Sequence, residues 1–236
     1  MKLRDRAYES FTRHLLAARI RPGQFVTQRE LVALTGLPLG AIRELIPRLE
    51  ADGLIVTIPQ RGMQIAGIDV KLVRNAFHLR LLIETEAIAR FTENATDEAI
   101  AEHEVALRRV IQASARGITR RLLAEAQAVD WGFHDAIVEA TGNELIVNVY
   151  RVNALRIRLI RHERVLLSEA TLPPALAEHA AILERVRARD VAGAVAAMQR
   201  HLTSARNRAL GLEAIEGGRA RRSSEPVRRR RITNAS

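Results

Sequence analysis

Residues 27–66 read TQRELVALTGLPLGAIRELIPRLEADGLIVTIPQRGMQIA, and the fold of the chain's first part follows from them. Thr27 with Glu30 three residues later is a capping box, in which each side chain satisfies a backbone amide at the start of a helix. Leu31, Val32 and Leu34 then turn inward, and Gly36 ends that helix. The stretch PLGAIRELIPRLEADG keeps Ile42, Leu45, Ile46 and Leu49 on one face, leaves Arg43 outward and closes at Gly53. Two short helices across a tight glycine-containing turn form a helix-turn-helix. Next come two apolar strand-like runs, Leu54–Ile58 and Met63–Ala66, joined by Pro59, Gln60, Arg61 and Gly62. A capped helix, an outward-facing second helix and a basic-tipped hairpin, in that order, predict a winged helix that reads duplex DNA.

Working outward, a helical pattern through Leu3, Ala7, Phe11 and Leu15 precedes this unit and stops at the Pro22-Gly23 turn. Residues 1–69 are therefore read as one DNA-binding domain of three helices and a small β-hairpin wing. Pro47 falls inside the second helix of the motif, where it removes the hydrogen bond to the Arg43 carbonyl, so a kink or an early loosening is expected there.

The chain has 236 residues, of which 47% are hydrophobic, enough for substantial cores, and no cysteine. Disulfides and thiolate metal sites are excluded, so any metal must use nitrogen and oxygen donors. No run approaches the roughly 18 apolar residues of a membrane span, and MKLRDRAYES lacks the apolar centre of a signal peptide. The reading is a soluble cytoplasmic protein. Net charge is +10, divided unevenly. Residues 1–69 carry ten Lys/Arg against seven Asp/Glu, residues 70–216 twenty against nineteen, and residues 217–236 seven against one. The last segment, rich in Arg, Gly and Ser, is read as a disordered basic tail, either a sequence-blind phosphate contact or a solvated end.

Between them, residues 70–216 read as an all-α bundle of six helices, 70–92, 96–115, 118–141, 144–168, 173–189 and 190–213, broken at Gly117, Gly142-Asn143 and Pro173-Pro174 among other places. The overall class is mainly α. In the helix 118–141, Leu122, Val129, Phe133, Ile137 and Ala140 form an apolar stripe, and Asp130 and His134 project together from its edge. His179 keeps step with Leu176, Leu183 and Val186, and His201 with Ala194, Met198 and Ala205, so both face a core. His14, His78, His103 and His162 show no such convergence. One carboxylate and three inward imidazoles suit a divalent ion such as zinc, nickel or manganese, with open positions for water or an acidic ligand. Arg80 and Arg156 are the candidates for gripping that ligand's carboxylate, Arg80 being alternatively a surface pair with Glu84 one turn on. Trp131 is assigned to packing or an interface, turned away from the metal pair.

The N-terminal residues resemble the GntR-type winged-helix transcription regulators. The likeness rests on the Pro22-Gly23 turn, Arg29-Glu30-Leu31, Arg43-Glu44 with Leu49-Glu50, Asp52-Gly53-Leu54 and Arg61-Gly62. It implies that Arg29, Arg43 and Arg61 contact an operator, with Leu39, Gly40 and Gln60 beside them. Where that family has Ser-Arg-x-Pro-Val-Arg, this chain has Pro38-Leu39-Gly40-Ala41-Ile42-Arg43, so Leu39 replaces one recognition arginine and a different operator is implied. The second part resembles the FCD effector-binding domain. That likeness rests on Asp130-x-x-x-His134, the Thr141-Gly142-Asn143 break, the late His179 and His201, and Arg80 four residues before Glu84. Six helices are similar to its vanillate-repressor (VanR) branch. The resemblance implies that Asp130, His134, His179 and His201 hold a metal, most simply zinc, against which a small carboxylate binds. It also implies a homodimeric repressor of a catabolic operon, released from a pseudo-palindromic site by that metabolite. Two other readings stand beside it, a regulator whose metal is purely structural and whose effector is larger, and a metal-dependent enzyme, for which no general-base motif is present.

Overall fold

A computed structural model describes residues 3–164 and 168–212. The stretch 217–236, read above as a basic tail, lies outside them, as does the side chain of His162.

Three helices build the head: α1 (Leu3–Leu16), α2 (Gln28–Thr35) and α3 (Leu39–Ala51). Thr27 caps α2 as its sequence requires. Its hydroxyl accepts from the Glu30 amide at 3.2 Å, and the Glu30 carboxylate accepts from the Thr27 amide at 2.7 Å. Gly36 closes α2 at a φ of 69°, the left-handed conformation that glycine adopts without a Cβ penalty. Pro47 does not end α3, which stays α-helical to Ala51 with Leu49 fully buried. Packing of the α3 apolar face outweighs the one hydrogen bond that Pro47 removes.

The wing holds more than the expected hairpin. Strands β2 (Ile55–Ile58) and β3 (Gly62–Ile65) pair antiparallel, and a two-residue strand β1 (Phe25–Val26) pairs with the other side of β3, giving the order β1-β3-β2. The sequence marks only the Pro22-Gly23 turn here and no strand after it, because two residues carry no alternation to detect. Ala7, Phe11, Leu31, Ile42, Leu45, Leu49, Ile55 and Ile65 form the core beneath this sheet. Leu45→Ala removes a fully buried side chain from it, an expected loss of about 2–5 kcal/mol readable as a lowered denaturant midpoint. An unchanged midpoint would mean that the head is not held by this core.

Six further helices complete the described residues: α4 (Val70–Asn94), α5 (Asp97–Ser114), α6 (Arg120–Glu139), α7 (Glu144–Arg164), α8 (Leu172–Arg187) and α9 (Val191–Leu210). Side chains of Asp69, Thr96, Thr119 and Asp190 cap α4, α5, α6 and α9, which sets where each begins and so which residues face inward. Asn143 accepts from the amides of Leu145 and Ile146 at the start of α7. The bundle core runs through Ile88, Ile100, Val110, Ile137, Ile182, Val186 and Met198. Ala140 is exposed, so the α6 stripe ends a turn earlier than the spacing suggested. Leu155 and Leu159 of α7 pack into the head's core instead of the bundle's. Among the described residues, no helix is long and apolar enough to cross a membrane.

Candidate metal centre and DNA-reading face

Asp130 and His134 lie one turn apart on α6, His179 lies on α8 and His201 on α9, and all four are buried. One donor atom from each falls within 4.8 Å of the others. His179 Nε2 is 3.3 Å from His134 Nε2 and 3.4 Å from Asp130 Oδ1. The ring of His201 stacks on that of His134 with centroids 5.2 Å apart, and meets His179 edge-on at 4.5 Å.

The other nitrogen of each ring faces an acceptor. His179 Nδ1 donates to the Ala175 carbonyl at 2.9 Å, and His201 Nδ1 donates to Glu178 Oε2 at 2.8 Å. His134 Nδ1 sits 2.7 Å from Glu84 Oε2. A carbonyl and a carboxylate only accept, so His179 and His201 carry their protons on Nδ1 and turn the Nε2 lone pairs to the centre. The carboxylate beside His134 Nδ1 favours the same tautomer there, although the pair is not aligned as a hydrogen bond. His201 Nε2 is buried and has no hydrogen-bond partner among the described residues. A buried acceptor left bare beside a carboxylate and two further lone pairs fits a divalent cation, and the donor set suits zinc, nickel or manganese.

At the other end of the molecule, Arg29 on α2, Leu39, Gly40 and Arg43 on α3, and Gln60 and Arg61 on the turn between β2 and β3 are all exposed. Arg43 Nε makes one long bond to Gln28 Oε1 at 3.4 Å, so its guanidinium is free to reach a base edge. The turn demands its glycine. Gly62 has φ 92°, and a Cβ there would stand 3.1 Å from the Val26 carbonyl oxygen.

Residues 3–65 match the model for bacterial regulatory proteins of the gntR family, and residues 75–204 match the FCD domain. The chain is a GntR-family regulator with an FCD domain. This GntR-family chain is 23% identical over 198 residues to the HTH-type transcriptional repressor GlaR of Escherichia coli, spanning 83% of itself and 90% of that protein. It is 24% identical over 198 residues to the repressor RspR of Escherichia coli, spanning 83% of each. In structure it is similar to McbR/YncC of Escherichia coli, with a TM-score of 0.72 at 18% identity, covering 86% of this chain and 95% of that one. The families and relatives are DNA-binding transcription regulators and not enzymes.

The roles of several groups around the regulator's Asp130–histidine cluster were not legible in its sequence. Glu84, Glu178 and the Ala175 carbonyl orient the histidines, and Arg161 Nη1 donates to Asp130 Oδ2. Tyr150 hydroxyl donates to Glu84 Oε1 at 2.9 Å, and Arg208 holds Glu178 through bonds of 3.0 and 3.1 Å. His103 packs edge-on between the rings of Phe91 and Phe133, behind the cluster. Trp131 lies under the Arg158 guanidinium, 4.9 Å from its carbon.

Two expectations are corrected. Arg80 and Glu84 are not a surface pair: both are buried, Arg80 Nε donates to Glu84 Oε1, and Arg80 Nη1 is left without a partner. Their spacing puts them on the same α4 stripe as Val73, Phe77, Ala87, Ile88 and Phe91, which the bundle covers. Arg156 does not approach the cluster, because its place on α7 directs it to the head, where Nη2 donates to the Asp52 carbonyl.

Burial pushes His201 down to about 3, with neighbouring His179 adding to the effect, and burial likewise lowers His179. Burial works to raise Asp130, Glu84 and Glu178, but cationic neighbours prevail. Arg161 holds Asp130 well below the usual carboxylate range, Arg80 brings Glu84 to about 2, and bonds from His201 and Arg208 bring Glu178 to about 2. Unfolded histidine takes its proton near 6.5 and unfolded carboxylates near 4. The unfolded chain thus binds more protons at every pH between these values and the folded ones, and stability rises with pH across that window. Melting temperatures of metal-free protein should be level above about pH 6.5 and fall steadily towards pH 3. A melting temperature that held or rose on acidification would contradict the assignment of neutral imidazoles.

Proposed function

We propose that this chain is a metal-dependent transcriptional repressor, released from its operator by a small acidic metabolite. The observation that carries the reading is the convergence of Asp130, His134, His179 and His201, with the three Nδ1 atoms already facing acceptors. Zinc suits three imidazoles and one carboxylate at four-coordinate geometry, with room to expand when a ligand carboxylate arrives. Arg161 and Arg208, with Thr171 and Phe77, wall a crevice beside Asp130 and His201, and guanidinium groups pair well with carboxylates. Arg29, Arg43 and Arg61 contact the operator, with Leu39, Gly40 and Gln60 shaping which bases are read. Two copies present two heads to a pseudo-palindromic site, as two-fold regulators do. The names of GlaR and RspR as repressors support the direction of control.

The test uses full-length protein purified without added metal. Elemental analysis should find about one divalent ion per chain. Mono- and dicarboxylates are then screened for those that raise the melting temperature of the zinc-loaded protein and lower its affinity for an operator selected from random duplexes. Absence of any bound ion, together with no zinc uptake on titration, would refute the reading. An acid that stabilises the protein without weakening operator binding would leave the metal in a structural role alone.

A further inference from the structure

Helix α7 touches both working ends of the molecule. Leu155 and Leu159 are its contribution to the head's core, and among the described residues no other bundle helix supplies a buried side chain there. Arg156 Nη2 donates to the Asp52 carbonyl at the end of α3, against Gly53, where a Cβ would lie 3.2 Å from that nitrogen. Five residues on, Arg161 Nη1 donates to Asp130. Five steps of roughly 100° turn a helix through about 140° beyond a full circle and advance it about 7.5 Å, so the two arginines leave α7 on different sides. Between them, Ile157 and Ile160 pack with Val73, Phe77 and Ala209, fixing the helix against α4 and α9.

The crevice beside Asp130 and His201 has a volume of only about 20 Å³, and Arg161 and Arg208 are part of its wall. That is space for roughly one water molecule. A carboxylate-bearing ligand exceeds that space, so part of the wall, in which Arg161 and Arg208 are the cations, has to move to admit one. Arg161 bonds Asp130 here, a ligand's carboxylate would offer it a second anionic partner, and an exchange between the two is a differential contact of the kind a switch requires.

We propose that Arg161 is the coupling residue of this regulator, through which occupancy of the metal centre displaces α7 and is felt at the Asp52 end of the recognition helix. The proposal rests on the metal reading above and assigns the route by which that site is regulated.

The experiment compares full-length, zinc-loaded wild type with Arg161→Gln, Arg161→Lys and Arg156→Gln. It measures zinc stoichiometry, amide exchange at Gly53 and Leu54, whose amides bond to Glu50 and Leu49 carbonyls, and affinity for the selected operator. Arg161→Gln mimics capture of the guanidinium. At saturating zinc it should stay fully loaded, with zinc affinity lowered by no more than the roughly 10–100-fold of an outer partner. It should exchange faster at Gly53 and Leu54, and lose at least about tenfold in operator affinity, within the range of ordinary coupling between sites. Arg161→Lys, which restores a cation at Asp130, should recover most of that loss, a rescue that simple damage to the fold would not give. Arg156→Gln should reproduce the head effect with zinc binding unchanged. Wild-type exchange and affinity in either glutamine variant would overturn the proposal, and so would loss of zinc from Arg161→Gln, since Arg161 would then act only as a support for the metal. A wild-type chain that takes up no zinc overturns the metal reading itself, and the route along α7 is then judged on exchange and affinity alone.

Discussion

His134→Ala is expected to lower zinc affinity more than about 100-fold, because replacing even an outer partner of a metal-ligating histidine costs about 10–100-fold. The variant should still fold. Glu84 Oε1 keeps Arg80 and Tyr150 when the imidazole is gone, so the carboxylate stays paired with a cation although Oε2 loses its neighbour. His201→Ala should behave alike, Arg208 remaining on Glu178. The outer groups supply a graded comparison. Glu84→Gln and Glu178→Gln each leave a neutral acceptor at Nδ1, and each should fall in the 10–100-fold range, roughly one to two decades. Competition against a chromophoric chelator reads all four. Stoichiometric, tight zinc uptake by both alanine variants would remove the centre from the account, whatever became of the glutamine variants.

Arg43→Ala and Arg61→Ala are expected to cripple operator binding, by different routes. Arg43 stands on the exposed side of α3 with only a long bond to Gln28, positioned for a bidentate contact to guanine worth about 1–3 kcal/mol of discrimination. Its loss should weaken binding and blur the selected sequence at one position. Arg61 sits at the wing tip, and its loss should weaken binding to all sequences and reduce the salt dependence by about one charge. Gel shifts across a salt series separate the two outcomes. Wild-type affinity in both variants would mean that the head does not meet DNA through α3 and the wing. Leu39, which is 39% exposed at the first turn of α3, offers only apolar contact, so Leu39→Arg should change the sequence selected more than the strength of binding.

The helices, the winged head and the four converging donors were legible because each is written in local spacing. His179 and His201 declared themselves by keeping step with buried neighbours on their own helices. The groups that orient them did not, since Glu84, Glu178 and Arg161 come from other turns and other helices through long side chains whose reach no single-helix pattern encodes. The burial of Arg80 and Glu84, as distinct from their partners, was readable in principle. A charged pair inside the stripe Val73, Phe77, Ala87, Ile88 and Phe91 belongs to a covered face, and the i,i+4 spacing that suggested a surface pair says nothing about which face it occupies. Arg156 was misassigned for the complementary reason. Helix α7 is apolar on two sides, because it packs on the head at Leu155 and Leu159 and on α4 and α9 at Ile157 and Ile160, and a sequence does not label which side meets which neighbour.

The short strand β1 changes what the wing is. In a free hairpin the tip swings about its two stems, and settling on a duplex then costs the entropy of stopping that swing. Here β3 is bonded on both edges, and Gly62 is pressed against the backbone of β1 at Val26. The base of the wing is therefore tied to the head on both sides, which narrows the positions open to Arg61 before any nucleic acid arrives. Half-sites with altered spacing between wing and helix contacts should therefore bind more weakly, as a gauge with little play grips a wrong thread poorly.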